Sequence, residues 1–322
     1  MISPENKAVA LKNIIAYPVV LIYLILLFNI PNELLRDRDN YITFAYDSSY
    51  IFKYESNDIS YFTNEPIFLF IADLFSKNPE LFPTTMGVFV GLIYCLYTVK
   101  FSKNILVFLL AFLLIVFNTF LLYPQVMQLR QGLATALFLI LFFSIKNNKL
   151  KIILSLMIPF IHVAFILIIP LYLVFINFFS KLNKFFIVLY TATLTFIISI
   201  TFFIISSALG LRQAEQYQDA VQASLGGGSF LLHILLLIYV YFYGYRNSQN
   251  NDSYKWTLIG LTFYVVSYFL IPTAGRFFLS FYPFILYSLI GRANFKDILL
   301  LFVLCLIFIT LFFNGGLQGM LA

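Results

Sequence analysis

Charge is scarce in this chain. Asp, Glu, Lys and Arg make up 11% of its 322 residues, against 61% apolar and 20% aromatic residues. A soluble domain carries about 25% charged residues, so that class is excluded. Cysteine is nearly absent, and Cys95 and Cys305 both fall inside apolar runs, so neither a disulfide framework nor a cysteine metal site is in prospect. No GxxxxGK[ST] loop occurs, and the glycines of LGGGS (Leu225–Ser229) form a flexible tract rather than a phosphate cradle. There is no repeat of fixed period, the usual sign of a transporter built from duplicated halves.

What is present is a succession of long apolar segments, with a mean hydropathy of +0.93. A membrane-spanning helix needs about 17–25 mostly apolar residues. Runs near that length cover Ile14–Ile30, Leu81–Val99, Ile105–Leu122, Phe185–Ser206, Phe230–Tyr245, Trp256–Ile271, Phe277–Ile290 and Ile298–Phe313. The first has no small-residue cleavage site behind it and stays as a span. Between Lys151 and Lys184 the apolar run is too long for one helix and is interrupted by Pro159 and Pro170. It reads as a short helix up (Lys151–Phe160), a turn near His162 and a helix down (Val163–Phe179). Gln131–Ile145 descends after Ile105–Leu122 has ascended, with the polar turn YPQVMQLR between them. The expected fold is an all-α polytopic bundle of about eleven spans in a single membrane domain over 1–322, with an outer-facing cavity.

The charges orient it. With the N terminus inside, thirteen basic and three acidic residues fall in cytoplasmic segments, while seven basic and eleven acidic residues lie outside. Lysine and arginine favour the cytoplasmic side. The net charge of +6 therefore reflects topology and contact with anionic lipid, not nucleic acid. Two long segments share the outer face, 31–80 and 209–229, and connections longer than about 12–15 residues are often functional.

Scarce ionic groups at the edges of apolar segments are the candidates for chemistry, because polar groups at membrane depth are costly. EPIFLFIADLFSK (Glu65–Lys77) is too short to span and reads as an interfacial helix that presents Glu65 at its start, with Asp73 and Lys77 paired at i and i+4. RDRDNY follows the first span, and its Arg36, Asp37, Arg38 and Asp39 offer donor forks for phosphate and acceptors for sugar hydroxyls. The Asp37, Asp39 spacing also permits a divalent metal, although no further ligand is fixed by sequence. In QLRQGLATALF (Gln128–Phe138), Arg130 and Gln131 open a span whose Gly132, Ala134 and Ala136 keep it slim for close packing. An arginine there suits an anionic lipid head group or a pyrophosphate. His162 stands in the broken segment IPFIHVAF, where its imidazole can take a proton or bond a phosphate oxygen. Arg276 opens a span in PTAGRFFLSFYP. The expected topology places all of these toward one face.

In their order, DRDNYITFAY after the first span, EPIFLF, RQGLA, FIHVAF and GRFFLSFY, these fragments resemble the Wzy-like and EpsG-like polymerases of bacterial surface polysaccharides. The resemblance spans most of the chain. One departure is that related proteins often carry a small hydroxyl residue soon after the histidine, whereas Val163, Ala164 and Phe165 follow it here, which bears on any hydroxyl-assisted role for His162. The resemblance implies an enzyme of the bacterial cytoplasmic membrane that joins oligosaccharide repeat units carried on undecaprenyl diphosphate at the outer face. It implies no cofactor, and it implies a flippase and a chain-length regulator as partners. Arg130 and Arg276, with Arg36, Asp37, Arg38 and Gln131, would bind substrate, while Glu65, His162 or Asp39 would serve as the base. Three other readings stay open. A polyprenyl-phosphate-dependent glycosyltransferase would depend on a metal, a glycan ligase would leave polymer length unaffected, and a flippase would carry charges along a path through the bilayer centre.

Overall fold

In lipid a backbone N–H or C=O must find its partner within its own segment, so long apolar runs become helices. The computed structural model describes residues 4–48, 65–208, 227–244, 251–271 and 274–321, and everything regular among them is helical. Most of the second expected external segment, 209–226, and the stretch 49–64 of the first lie outside the described residues. In chain order the helices are α1 (Pro4–Phe28), α2 (Arg38–Tyr46), α3 (Pro66–Asp73), α4 (Leu81–Phe101), α5 (Ile105–Phe117), α6 (Thr119–Val126), α7 (Leu129–Ser144) and α8 (Asn148–Ser155). They continue with α9 (Phe165–Asn177), α10 (Lys184–Ala208), α11 (Gly227–Tyr243), α12 (Asn251–Ser267), α13 (Ala274–Leu279), α14 (Tyr282–Arg292), α15 (Phe295–Leu311) and α16 (Leu317–Met320).

Five stretches are long and apolar enough to cross a membrane: Ala8–Phe28, Leu81–Phe101, Lys184–Thr201, Ala274–Arg292 and Phe295–Met320. A sixth is the bent pair α5 and α6. The other expected spans are helical but short. Helices α9 and α11 have 13 and 17 residues, or about 20–25 Å at 1.5 Å per residue, less than a hydrocarbon core of about 30 Å. Length and composition therefore give fewer crossings than the eleven expected. The apolar run 151–184 does break as expected, into α8, a 3₁₀ turn at Ile158–Phe160 and α9.

Asparagines set several boundaries by accepting hydrogen bonds from first-turn N–H groups that lack a helical partner. Asn104 caps α5, Asn147 caps α8, and Asn294 forms a capping box with Asp297 at the start of α15. Asn118 does the same within an apolar run: its side chain accepts from the N–H of Phe120, ends α5 and starts α6 at an angle of 61°. This corrects the expected straight span Ile105–Leu122. The first half of the expected polar turn after it belongs to helix α6, and its last two residues begin α7.

Helix α4 lies at the centre, with 72% of its membrane-crossing window buried, whereas the α1, α10 and α15 windows are 28%, 22% and 28% buried and form the lipid-facing perimeter. The aromatic residues fill the interior between α7, α9, α12 and α14. Phe138 meets Tyr172 at 4.8 Å and Trp256 at 5.7 Å between ring centroids, and Phe142 meets Phe284 at 5.0 Å. One end of α4 collects cations. Lys12 donates to the carbonyls of Val99 (2.7 Å) and Ser102 (2.9 Å), and Lys103 to that of Arg292 (2.9 Å), neutralising helix C-terminal carbonyls. The opposite end carries α2, α3 and, through the Leu35–Leu321 bridge, the last residues of the chain.

Candidate active site

Glu65 is the hinge of this end of the molecule. It is the residue before α3, in the left-handed backbone region at φ 61°, ψ 55°, and the Pro66 that follows has no N–H and starts the helix. A non-glycine residue rarely adopts that conformation, which costs about 1–2 kcal/mol. Such strain collects at functional positions. The turn directs the carboxylate inward, where it is 3% exposed. Oε2 accepts from Arg130 Nη1 at 2.7 Å. Oε1 meets His162 Nδ1 at 2.6 Å and accepts from the Val163 N–H at 3.0 Å. Burial pushes this carboxyl up, but His162, Arg130 and the Val163 N–H together outweigh it and hold it at about 2, below its ordinary value of 4.5. Glu65 is therefore an anion at any physiological pH. With an ionised acceptor on it, His162 Nδ1 carries a proton.

Three distant segments thus meet. Arg130 stands in the first turn of α7, its guanidinium 5.4 Å from the centre of the Phe44 ring. His162 stands between the 3₁₀ turn and α9, where its N–H donates to the Ile158 carbonyl at 3.1 Å. Arg130 and His162 line one cavity of about 130 Å³ together with Asp37, Tyr41, Gln128, Gln131 and Arg276. Arg276 is exposed at the start of α13 and makes no ion pair among the described residues. Asp37 also has a left-handed backbone, at φ 66°.

Gln131 is 2% exposed, and its amide N–H₂ bonds the Arg276 carbonyl and, at 3.0 Å, Ser280 Oγ. Its donors thus hold α13 against α7 beside the cavity that Gln131 itself lines. Arg38 departs further from expectation. It is 1% exposed and bonds the Val126 carbonyl (3.1 Å), Asn32 Oδ1 (2.9 Å) and Thr84 Oγ1 (3.4 Å), tying α2 to α4 and to the end of α6. Burial without an acidic partner lowers it to about 10. The sequence gives Arg36, Arg38 and their neighbours one appearance, but the helical turn that begins at Arg38 sends it inward and leaves Arg36 and Asp39 exposed, neither of them lining the cavity. The expected Asp73–Lys77 pair does not form, and Asp73 accepts from Ser48 Oγ at 2.6 Å instead.

Tyr41 and Gln128 are cavity residues that reading for ionic groups passes over. Gln128 Oε1 is buried and carries no hydrogen bond among the described residues. Two glycines fix the path of the helix that leads to Gln128. A Cβ at Gly132 would lie 1.9 Å from the Pro124 carbonyl oxygen, and one at Gly87 would lie 2.4 Å from that of Gln125. Both neighbours of α6 need glycine where its backbone passes, and α6 leads directly to Gln128 and Arg130.

An all-helical, multi-pass membrane bundle with a buried anion clamped between a guanidinium and an imidazole defines a class of membrane protein with a built polar site. The EpsG family matches residues 14–316, and the chain belongs to it, among membrane proteins of polysaccharide biosynthesis. No curated protein and no solved structure matches the chain.

Proposed function

We propose that this protein is a polysaccharide polymerase that joins oligosaccharide repeat units carried on undecaprenyl diphosphate, and that the Glu65 site is where it does so. The observation that carries this reading is the single carboxylate that grips both Arg130 and His162 on a cavity also lined by Arg276. Transfer requires that an acceptor sugar hydroxyl attack the anomeric carbon of the growing chain. The bond from that carbon to the lipid diphosphate breaks, the electron pair leaves with the diphosphate, and the hydroxyl proton goes to a base.

Glu65 is a poor base, since its carboxyl is held at about 2 and both oxygens are occupied. It serves instead to fix the His162 tautomer, with the proton on Nδ1. Nε2, which makes no hydrogen bond among the described residues, is then the acceptor for the hydroxyl proton. This arrangement takes over the base role that Asp39 would have needed to reach the cavity to fill. Arg276 and the guanidinium donors of Arg130 not used on Glu65 supply positive charge to the departing diphosphate. A cavity of about 130 Å³ is well below the roughly 300–1,000 Å³ of a pocket that encloses a whole ligand, so it takes in a head group but not a sugar repeat. The saccharide and the lipid tail therefore lie beyond it.

The reading sets the site at the outer face of the cytoplasmic membrane, with the N terminus inside and about eleven crossings. Two features support it. Lys12 and Leu321 lie at opposite ends of α4, so the chain between them crosses an odd number of times. The cations that bond helix ends gather at the Lys12 end, as the positive-inside tendency requires. A flippase and a chain-length regulator would be its partners.

The test is glycan analysis in cells that carry variants in place of the native protein. His162→Ala and Arg276→Ala each abolish the polymer ladder while lipid-linked single repeats accumulate and protein in the membrane is unchanged. A loss of about 10²–10³ in rate is the scale for one charge-stabilising donor. Normal long-chain polymer from both variants overturns the assignment.

A further inference from the structure

At the other end of the molecule from Glu65, the beginnings of α10 and α15 and the end of α11 leave a wide cleft of about 920 Å³. Its floor is apolar and aromatic, with Ile238, Phe242, Tyr243 and Phe295, and its two cations are Lys184 and Lys296. The position follows from α4. Its first turns meet Arg38 and Gln125 near the candidate site, whereas the residues just past its end reach Arg292, two residues before the cap of α15. Twenty-one residues of helix separate these levels by about 30 Å, one hydrocarbon thickness.

The placement of the two lysines is not explained by the helices that carry them. Both sit in first turns, at the positive ends of the helix dipoles, where a cation is unfavourable. Neither pairs with a carboxylate among the described residues. Lys184 donates to the Tyr241 carbonyl at 3.0 Å, and Lys296 lies 4.3 Å from the centre of the Tyr243 ring, so each keeps ammonium donors to spare. The nearby carboxylate, Asp297, is fully buried and taken up by Arg292, Tyr239 and the Asn294 N–H. The cleft is thus positive without compensation, and the large aromatic residues beside it are turned outward: Phe295 is 80% exposed, Phe242 63% and Tyr243 50%. Aromatic residues so placed mark the membrane interface, and basic clefts between helices at that depth hold anionic head groups.

We propose that this cleft is a binding site for an anionic phospholipid of the leaflet opposite the Glu65 site, with the phosphate between Lys184 and Lys296 and the acyl chains along Ile238, Phe242 and Phe295. The two helix N-termini that converge there supply a favourable field for the phosphate. The site is independent of the polymerase reading, since its readout is lipid and not glycan.

The experiment uses the full chain in discs of phosphatidylcholine, with and without phosphatidylglycerol, reading retained lipid by native mass spectrometry and Tm by intrinsic fluorescence. The wild type retains phosphatidylglycerol and gains Tm in its presence. Lys184→Gln with Lys296→Gln loses both effects, at about fivefold in affinity per lysine, while its Tm in phosphatidylcholine is unchanged. Lys146→Gln with Lys149→Gln, which removes two exposed lysines from another turn, keeps both. Should the double variant fail to fold, Lys296→Gln alone decides, because among the described residues that ammonium makes only a ring contact. Retention at wild-type level in these variants overturns the proposal. So does an equal loss from the Lys146 and Lys149 pair, which would mean diffuse attraction, or an equal Tm gain from inorganic phosphate, which would mean a free-anion site.

Discussion

Glu65 gathers three hydrogen bonds, from Arg130, His162 and the Val163 N–H, in a backbone conformation that its residue type disfavours, so its role can be separated by pH from that of a surface acid. A carboxyl held lower in the fold than in the unfolded chain stabilises the fold above its unfolded value, and that contribution fades as pH drops through the interval between the two. Here the interval runs from 4.5 to about 2. Glu65→Gln keeps the shape and removes the charge. It is expected to lower stability by about 1–3 kcal/mol, toward the lower end because 35% of the Arg130 side chain is open to solvent. The Tm difference between wild type and Glu65→Gln does not shrink between pH 8 and 5 and does shrink below about 4.5. A difference that vanishes by pH 6 would mean that the carboxylate is not held as described. That Glu65, Arg130, His162 and Arg276 share one end of the molecule was legible in the chain, because each is an ionic group at the edge of an apolar segment. That one carboxylate joins Arg130 and His162 was not, since they lie 65 and 97 residues away from it and nothing local announces the pairing. Arg38 misled for the same reason: its composition matches that of a binding residue, and only the helical phase of α2 turns it inward.

Among the elements, α6 decides where the site sits. It runs eight residues from the Asn118 kink to Val126, whose carbonyl takes Arg38, and it hands the chain to Gln128 and Arg130. Its path is fixed by contact with backbone, not side chain: Pro124 lies against Gly132 and Gln125 against Gly87. A methyl at either glycine meets a carbonyl oxygen at 1.9 or 2.4 Å, so a backbone must move. Near an active site a displacement of about 1 Å can cost 10²-fold in rate. Gly132→Ala and Gly87→Ala are accordingly expected to abolish or strongly shorten the polymer with the protein still inserted. Gly291→Ala, whose Cβ would meet nothing within 4 Å, leaves the ladder unchanged. A normal ladder from Gly132→Ala would show that α6 does not position Arg130. Small residues in RQGLA announced a slim helix, and the kink had its own signal, since an asparagine in an otherwise apolar run needs a partner and finds one by capping. What the chain did not disclose is that the partner face of Gly132 is a helix of only two turns, because hydropathy alone cannot tell a bend from a straight crossing.

For the whole molecule, the apolar pattern located nearly every helix, yet hydropathy has no term for depth. Helices of 13 to 17 residues such as α9 and α11 can cross a thinned region or stop short of it, and their composition is the same in either case. Sidedness is therefore the property to measure, and the chain is convenient for it because both native cysteines are buried and unpaired. Asn78 lies exposed between α3 and α4, at the Glu65 end. Asn147 lies exposed after α7, at the end where Ser144 meets Tyr97 and the lysines collect. If the site faces outward, Asn78→Cys is labelled by a membrane-impermeant maleimide in intact cells, and Asn147→Cys only after the membrane is opened. The chemistry depends on this as firmly as on any side chain, because repeat units delivered to the outer leaflet can meet Arg276 and His162 only if those groups open on that side. The reverse labelling pattern would leave the ionic cluster intact and deprive it of that substrate.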